Sequence, residues 1–178
     1  GYFLALLLFA RLGSPGFGSL TSIPTNFLLK DQWHFGPGAV SVFALLTGIP
    51  YYFGLFLGMM RDRWQPFGGR DRVYLLGLPV AICLLFASLR IIPLKYASLL
   101  GVMLLATAMG VLLQTAIQGL MASAANHHRV AGKMAVVFSA SFYVPTIIGS
   151  YAGGWLTERA SPEAIFLLTG LILLPVLP

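Results

Sequence analysis

The sequence predicts an all-α fold, a polytopic transmembrane bundle of six helices. Three observations carry that prediction. Hydrophobic residues make up 58% of the 178 residues, and mean hydropathy is +0.86, whereas a soluble domain is about half apolar. Charged residues are only 9%, against about a quarter in soluble domains. The charges also gather in short turns between apolar runs of membrane-crossing length.

Segment 1, about residues 2–29, is interrupted by Gly13, Ser14, Pro15, Gly16, Gly18 and Pro24. Inside a bilayer such breakers survive only where protein or a water-filled cavity satisfies the freed backbone groups, so this segment is expected to line a cavity. Lys30 to Pro37 reads as a short polar loop with Trp33 at headgroup depth. Segment 2, about 38–60, has Ser41, Thr47, Pro50, Tyr51 and Tyr52 as its polar or breaking positions. Segment 3, about 73–89, is nearly featureless apart from Cys83. As the only cysteine, Cys83 excludes an intrachain disulfide and reads as a small core residue.

Segment 4, about 96–122, carries Thr107, Gln114, Thr115 and Gln118, and the two glutamines, four apart, share one helix face. Asn126 to Lys133 reads as a solvated polar loop. Its paired His127 and His128 have no carboxylate or cysteine nearby at metal-ligand spacing. Segment 5, about 135–156, holds Ser139, Ser141, Tyr143 and Pro145. Gly149 and Gly153, followed by Gly154, form a small-xxx-small pair suited to close helix packing. Segment 6, about 164–178, is too short at about 1.5 Å per residue to cross a ~30 Å hydrocarbon core. With Gly1 opening directly into an apolar run, both ends look cut, and the chain is expected to be a piece of a longer one. The six segments form one bundle over residues 1–178. The first apolar run lacks the flanks of a signal peptide.

The turn between segments 2 and 3 concentrates the charge. It holds Arg61, Asp62, Arg63, Arg70, Asp71 and Arg72, with Pro66 stopping the helix. Gly58 and the Gly68–Gly69 pair are expected to allow close backbone approach and a tight turn. Within it Gly58, Asp62, Arg63, Gly69, Arg70 and Arg72 resemble the G-x-x-x-D-R…G-R-x-R signature between helices 2 and 3 of the major facilitator superfamily. The spacing is the longer form, similar to the glycoside–pentoside–hexuronide, folate–biopterin and bacteriochlorophyll-assembly branches. Arg61 departs from the usual small residue, and Val73 from the usual proline. Gly149 to Gly154 partly resembles the helix 5 motif of antiporters in the superfamily, with Ser150 in place of its proline.

The resemblance implies one half of a twelve-helix secondary transporter, built of two three-helix inverted repeats. It also implies a cytoplasmic N-terminus in a plasma or bacterial inner membrane, and a cavity built from helices 1, 2, 4 and 5 of this half. Asp62 would sit at the N-terminus of a helix from the other half, where a carboxylate is favoured. Arg63 and Arg70 would pair nearby, forming a cytoplasmic gate. The charge bias agrees with that orientation. Six bases, Arg61, Arg63, Arg70, Arg72, Arg129 and Lys133, would lie inside, against Lys30, Arg90, Lys95 and Arg159 outside.

The expected partners are the lipid bilayer, the missing half or other membrane subunits, and a small organic solute. The +6 charge sits at segment ends, and no basic helix or aromatic-interleaved strand supports nucleic-acid binding. No catalytic constellation, cofactor motif or metal set is present in the pattern, so enzyme activity is not expected. The cavity candidates are Arg11, Tyr51, Gln114, Gln118, Ser139 and Tyr143. Arg11 has two readings: it faces the cavity and meets an anionic solute, or it snorkels to the cytoplasmic headgroups. All five acids lie at segment ends or loops, which disfavours cation-coupled sugar transport from this half. A second reading of the whole chain is a transport-incompetent membrane scaffold or assembly subunit that keeps the fold. A polar cavity at mid-depth favours transport, and a bundle packed shut favours the scaffold.

Overall fold

A computed structural model of the chain describes residues 2–16, 19–63, 72–128 and 131–176. The described residues are helical throughout apart from short connections, and none forms a strand. In chain order the helices are α1 (Tyr2–Gly13), α2 (Ser22–Phe27), α3 (Pro37–Tyr52), α4 (Gly54–Arg63), α5 (Arg72–Ser88), α6 (Tyr96–His128), α7 (Ala131–Thr157) and α8 (Pro162–Leu171). By length and apolarity alone, three stretches suffice to cross a membrane: Pro37–Arg61, Tyr96–Ala125 and Gly132–Thr157.

The expected segment 1 is therefore broken, whereas segment 2 is one span, Pro37–Arg61, irregular at a single residue. Segment 1 divides into α1 and α2 where Ser14, Pro15 and Gly16 follow Gly13. The irregular residue of segment 2 is Phe53, three residues beyond Pro50, which cannot donate to the preceding turn. Two expected loops are largely helical. A π-helical turn, Leu28–Gln32, carries α2 into the stretch read as the 30–37 loop. Likewise α6 runs through His128 and α7 begins at Ala131, leaving little of the 126–133 loop.

The long helix α6 is the centre of the bundle and packs against α1, α3, α4, α5 and α7. Of its apolar window 44% is buried, against 17% for the other two spans, so α6 is the core and those two are flanks. Around α6 the core is Leu6, Leu7, Ala10, Ile82, Phe86, Leu99, Met103, Leu113, Ile117 and Phe166. Phe86 of α5 stacks on Phe166 of α8 with centroids 6.2 Å apart. The two helices cross closely because Gly170 has no side chain; a Cβ there would lie 3.1 Å from the Cα of Cys83.

Ring contacts fix the relative directions. At one end Tyr96, opening α6, meets Phe43 of α3 at 5.7 Å and Phe35 at 5.5 Å, and Phe35 meets Trp33. At the other end Arg61 of α4 reaches Thr115 of α6. The α3–α4 span and α6 thus run parallel, and the end of α4, with Arg61, lies towards the same end of the bundle as the last turns of α6. Similarly α7 runs alongside α1 and α2, with Phe142 beside Arg11 and Gly153 beside Leu20. A Cβ on Gly153 would stand 3.1 Å from the Leu20 carbonyl, and one on Gly154 3.8 Å from Ile23. With Gly149 also buried, the expected small-residue face of α7 is the one packed on α2.

Candidate functional site

The break in the first segment builds the site. After Gly13 the chain leaves the helix, and serines and a tyrosine take over the backbone groups that the helix frees. Ser14 donates from both N (3.1 Å) and Oγ (2.6 Å) to the Ala10 carbonyl. Ser19 Oγ donates to the Gly16 carbonyl at 2.9 Å, and Ser22 Oγ to the Ser19 carbonyl at 3.1 Å. From α3 the Tyr51 hydroxyl donates to the Pro15 carbonyl at 2.8 Å. Gly16 has φ +147°, a conformation that side chains rarely adopt, and a Cβ there would collide with the Tyr51 hydroxyl. Irregular backbone at membrane depth is tolerated only with such compensation.

Beside this break, α2, α3 and α6 line a half-open cavity of about 150 Å³. Its polar wall is Thr21, Ser22, Thr25, Asn26, Thr47, Tyr51 and Thr107, and Phe43 and Met103 supply apolar wall. Five of these hydroxyls are satisfied within the protein, those of Ser22 and Tyr51 by the bonds above. Thr21 pairs with Ser19 at 2.9 Å, Thr47 Oγ1 donates to the Phe43 carbonyl at 2.9 Å, and Thr107 Oγ1 to the Met103 carbonyl at 2.7 Å. Thr25 Oγ1 is buried without a hydrogen-bond partner in the protein.

Arg11, in the last turn of α1, is half-buried. Its guanidinium lies 4.7 Å over the Phe142 ring of α7 and within electrostatic reach of Tyr51. The carbonyl end of α1 favours a cation in its last turn. The two neighbours place it midway along the bundle. Tyr51 is ten residues from Arg61, and Phe142 ten from Gly132, at the same end of their spans. That is about 15 Å at ~1.5 Å per residue, half the ~30 Å hydrocarbon thickness. No carboxylate pairs with Arg11 among the described residues.

The six cavity candidates separate. Tyr51 is in the cavity wall and Arg11 is beside Tyr51. Gln114 is buried in the bundle at 5% exposure. Gln118 lines a different hollow, of about 260 Å³, between α6 and the start of α7 with Met121, Met134 and Phe138. Ser139 and Tyr143 are exposed on α7, where the Tyr143 ring stands edge-on to Phe142. Sequence reasoning passed over Thr21, Ser22, Thr25 and Asn26. The available signal was a run of short polar side chains immediately after the break.

In the charged turn, Gly58 lies within α4 and nothing stands within 4 Å of where its Cβ would be. Among the described residues no close approach is made at Gly58. Arg63 is exposed at the end of α4. Residues 64–71, with Gly69 and Arg70, lie outside the described residues, as do the side chains of Asp62 and Arg72.

The close approach occurs instead at Gly119. Arg61 Nη1 donates to the Thr115 carbonyl at 2.7 Å, and a Cβ on Gly119 would lie 2.7 Å from both terminal nitrogens of Arg61. The residue that departs from the family pattern thus clamps α4 to α6. Gly119→Leu should displace the guanidinium and cost about 1–3 kcal/mol. Arg61→Ala should cost about 1.5–3 kcal/mol for the lost charged hydrogen bond. Thermal unfolding in detergent should show the double variant costing less than the two single costs combined, because both act on one contact.

An all-helical chain with membrane-length apolar spans, a broken first segment and a half-buried arginine midway along the bundle has the make-up of a polytopic membrane protein. The family model described as "BT1 family" matches residues 15–177. The chain therefore belongs to the BT1 family, a transporter family within the major facilitator superfamily. No curated protein and no solved structure matches it.

Proposed function

We propose that the chain is the N-terminal half of a secondary carrier that works by alternating access on a small organic anion. The observation that carries this reading is Arg11. It is a cation at mid-depth, with no carboxylate partner among the described residues and beside a hydroxyl-lined cavity. Charges within a membrane are rare and usually face a substrate path or a partner. Mid-depth also argues against snorkelling, since the guanidinium is packed on Phe142 and is about 15 Å from the nearer span ends.

The cavity supports transport over a scaffold role, because a bundle serving only as scaffold has no use for polar space at mid-depth. In this reading the N-terminus is cytoplasmic, and Asp62 and Arg63 serve the cytoplasmic gate against the other half. The anion is held at Arg11, beside Tyr51, where it supplies the negative charge that α1 lacks. Counterflow tests the proposal. Proteoliposomes holding the full-length protein and preloaded with unlabelled mono- or dicarboxylates should take up the labelled compound transiently above equilibrium. Uptake indistinguishable from protein-free liposomes across the panel would contradict it.

A further inference from the structure

We infer that the cavity between α2, α3 and α6 is a subsite for the uncharged, hydrogen-bonding part of the transported anion, with Thr25 as its recognition residue. The inference rests on the anion reading of Arg11 and extends it to a second group on the same solute.

Three observations carry it. First, Thr25 is 8% exposed and its Oγ1 has no partner within the protein, although it lines the cavity. Buried hydroxyls are nearly always paired, and an orphan one on a residue that lines a cavity leaves a hydrogen bond for an occupant of that cavity to make once the side chain turns to it. Second, about 150 Å³ exceeds one water and equals about five water-sized volumes, enough for a small organic fragment. Third, the wall's chemistry selects the fragment. Hydroxyls both donate and accept, Asn26 adds an amide, and no charged side chain is in the wall.

A cation does not fit that wall. Carboxylates are absent from it, and Tyr51, which forms part of it, is within electrostatic reach of the Arg11 guanidinium. An anionic group is better placed at Arg11 itself. The complementary ligand therefore has a carboxylate-like end at Arg11 and a hydroxyl- or amide-bearing end at Thr25, with Tyr51 between the two.

The test uses the full-length protein in lipid nanodiscs and two matched pairs of anions, hexanoate against gluconate and benzoate against 4-carbamoylbenzoate. Binding is measured by calorimetry. The hydroxyl- or amide-bearing member of at least one pair should bind at least fivefold more tightly. Thr25→Val keeps the shape while removing the hydroxyl, and should reduce that ratio to less than twofold. Thr25→Ser should preserve it.

Arg11→Gln should weaken both members of the pair alike and leave their ratio intact. If Arg11→Gln changes nothing while Thr25→Val erases the ratio, the anion reading fails and the subsite stands. Equal affinities within both pairs, or a ratio that Thr25→Val leaves unchanged, overturns the subsite. Stabilisation by sodium alone that Thr25→Val abolishes overturns it too, in favour of a cation site. No binding of any of the four anions overturns both assignments.

Discussion

Arg11→Gln should reduce anion uptake about 10- to 100-fold, and Arg11→Lys should restore part of it. A hydrogen bond to a charged group contributes about 1.5–3 kcal/mol, and every ~1.4 kcal/mol is tenfold in affinity. Lysine returns the charge but not the planar fork of donors, so its rescue should be incomplete. The competing role for Arg11 is structural, as a cation packed on the Phe142 ring at 4.7 Å, worth about 0.5–2 kcal/mol. Phe142→Leu separates the two. It removes the ring and leaves the charge, so it should lower stability while keeping most of the uptake. If Phe142→Leu and Arg11→Gln lose uptake equally, Arg11 acts through packing. Wild-type uptake by Arg11→Gln would remove it from the solute path.

The second large effect is at Gly16. Gly16→Ala should destabilise the protein by on the order of 2–4 kcal/mol, from two separable sources. One is backbone strain, because φ is +147° there, at about 1–3 kcal/mol. The other is eviction of the Tyr51 hydroxyl from its 2.8 Å bond to the Pro15 carbonyl, at about 0.5–1.5 kcal/mol. Tyr51→Ala removes the obstacle, so in that background the cost of Gly16→Ala should fall to the strain alone. Thermal unfolding of the four proteins in one detergent measures the cycle. A cost for Gly16→Ala that is the same in both backgrounds would show that the Tyr51 contact does not restrain the break.

Most of the fold was legible in the sequence because the bilayer imposes length and apolarity on each span. Tyr96 to about Ala122 of α6 was read from those rules, and Gly149 and Gly153 from small-residue spacing, which does mark a packing face of α7. The breaks were partly legible. Gly13, Ser14, Pro15 and Gly16 announced an interruption, but where the freed carbonyls would find donors depended on Tyr51, thirty-six positions from Pro15. No local pattern encodes such a contact. The helical extensions through Gln32 and His128 were missed because polar residues read as loop, although a polar side chain at a helix end does not stop hydrogen bonding along the backbone.

The candidate site was less legible. Polarity inside an apolar run selected Tyr51, which lines the cavity beside the break, and also Gln118, which lines a different hollow. Ser139 and Tyr143 face outward on α7, a direction that residue type does not specify. Thr25 and Asn26 escaped because short hydroxyl and amide side chains just past a break read as turn chemistry. Arg61 was visible only as a departure from a pattern. Its purpose needed the Gly119 notch, fifty-eight positions away, which only the parallel run of α4 and α6 brings beside it.

The central claim is that the cavity beside Arg11 opens alternately to the two faces of the membrane. Thr47 lines that cavity from α3, so the most direct measurement is labelling of Thr47→Cys in full-length protein whose native cysteines, Cys83 among them, are replaced by alanine. A membrane-impermeant thiol reagent is applied from each side of oriented vesicles in turn. The account predicts reaction from both sides, with the ratio of the two rates shifting when a transported carboxylate is added. Reaction from one side only, with a rate that no carboxylate changes, would contradict alternating access and leave a static membrane scaffold.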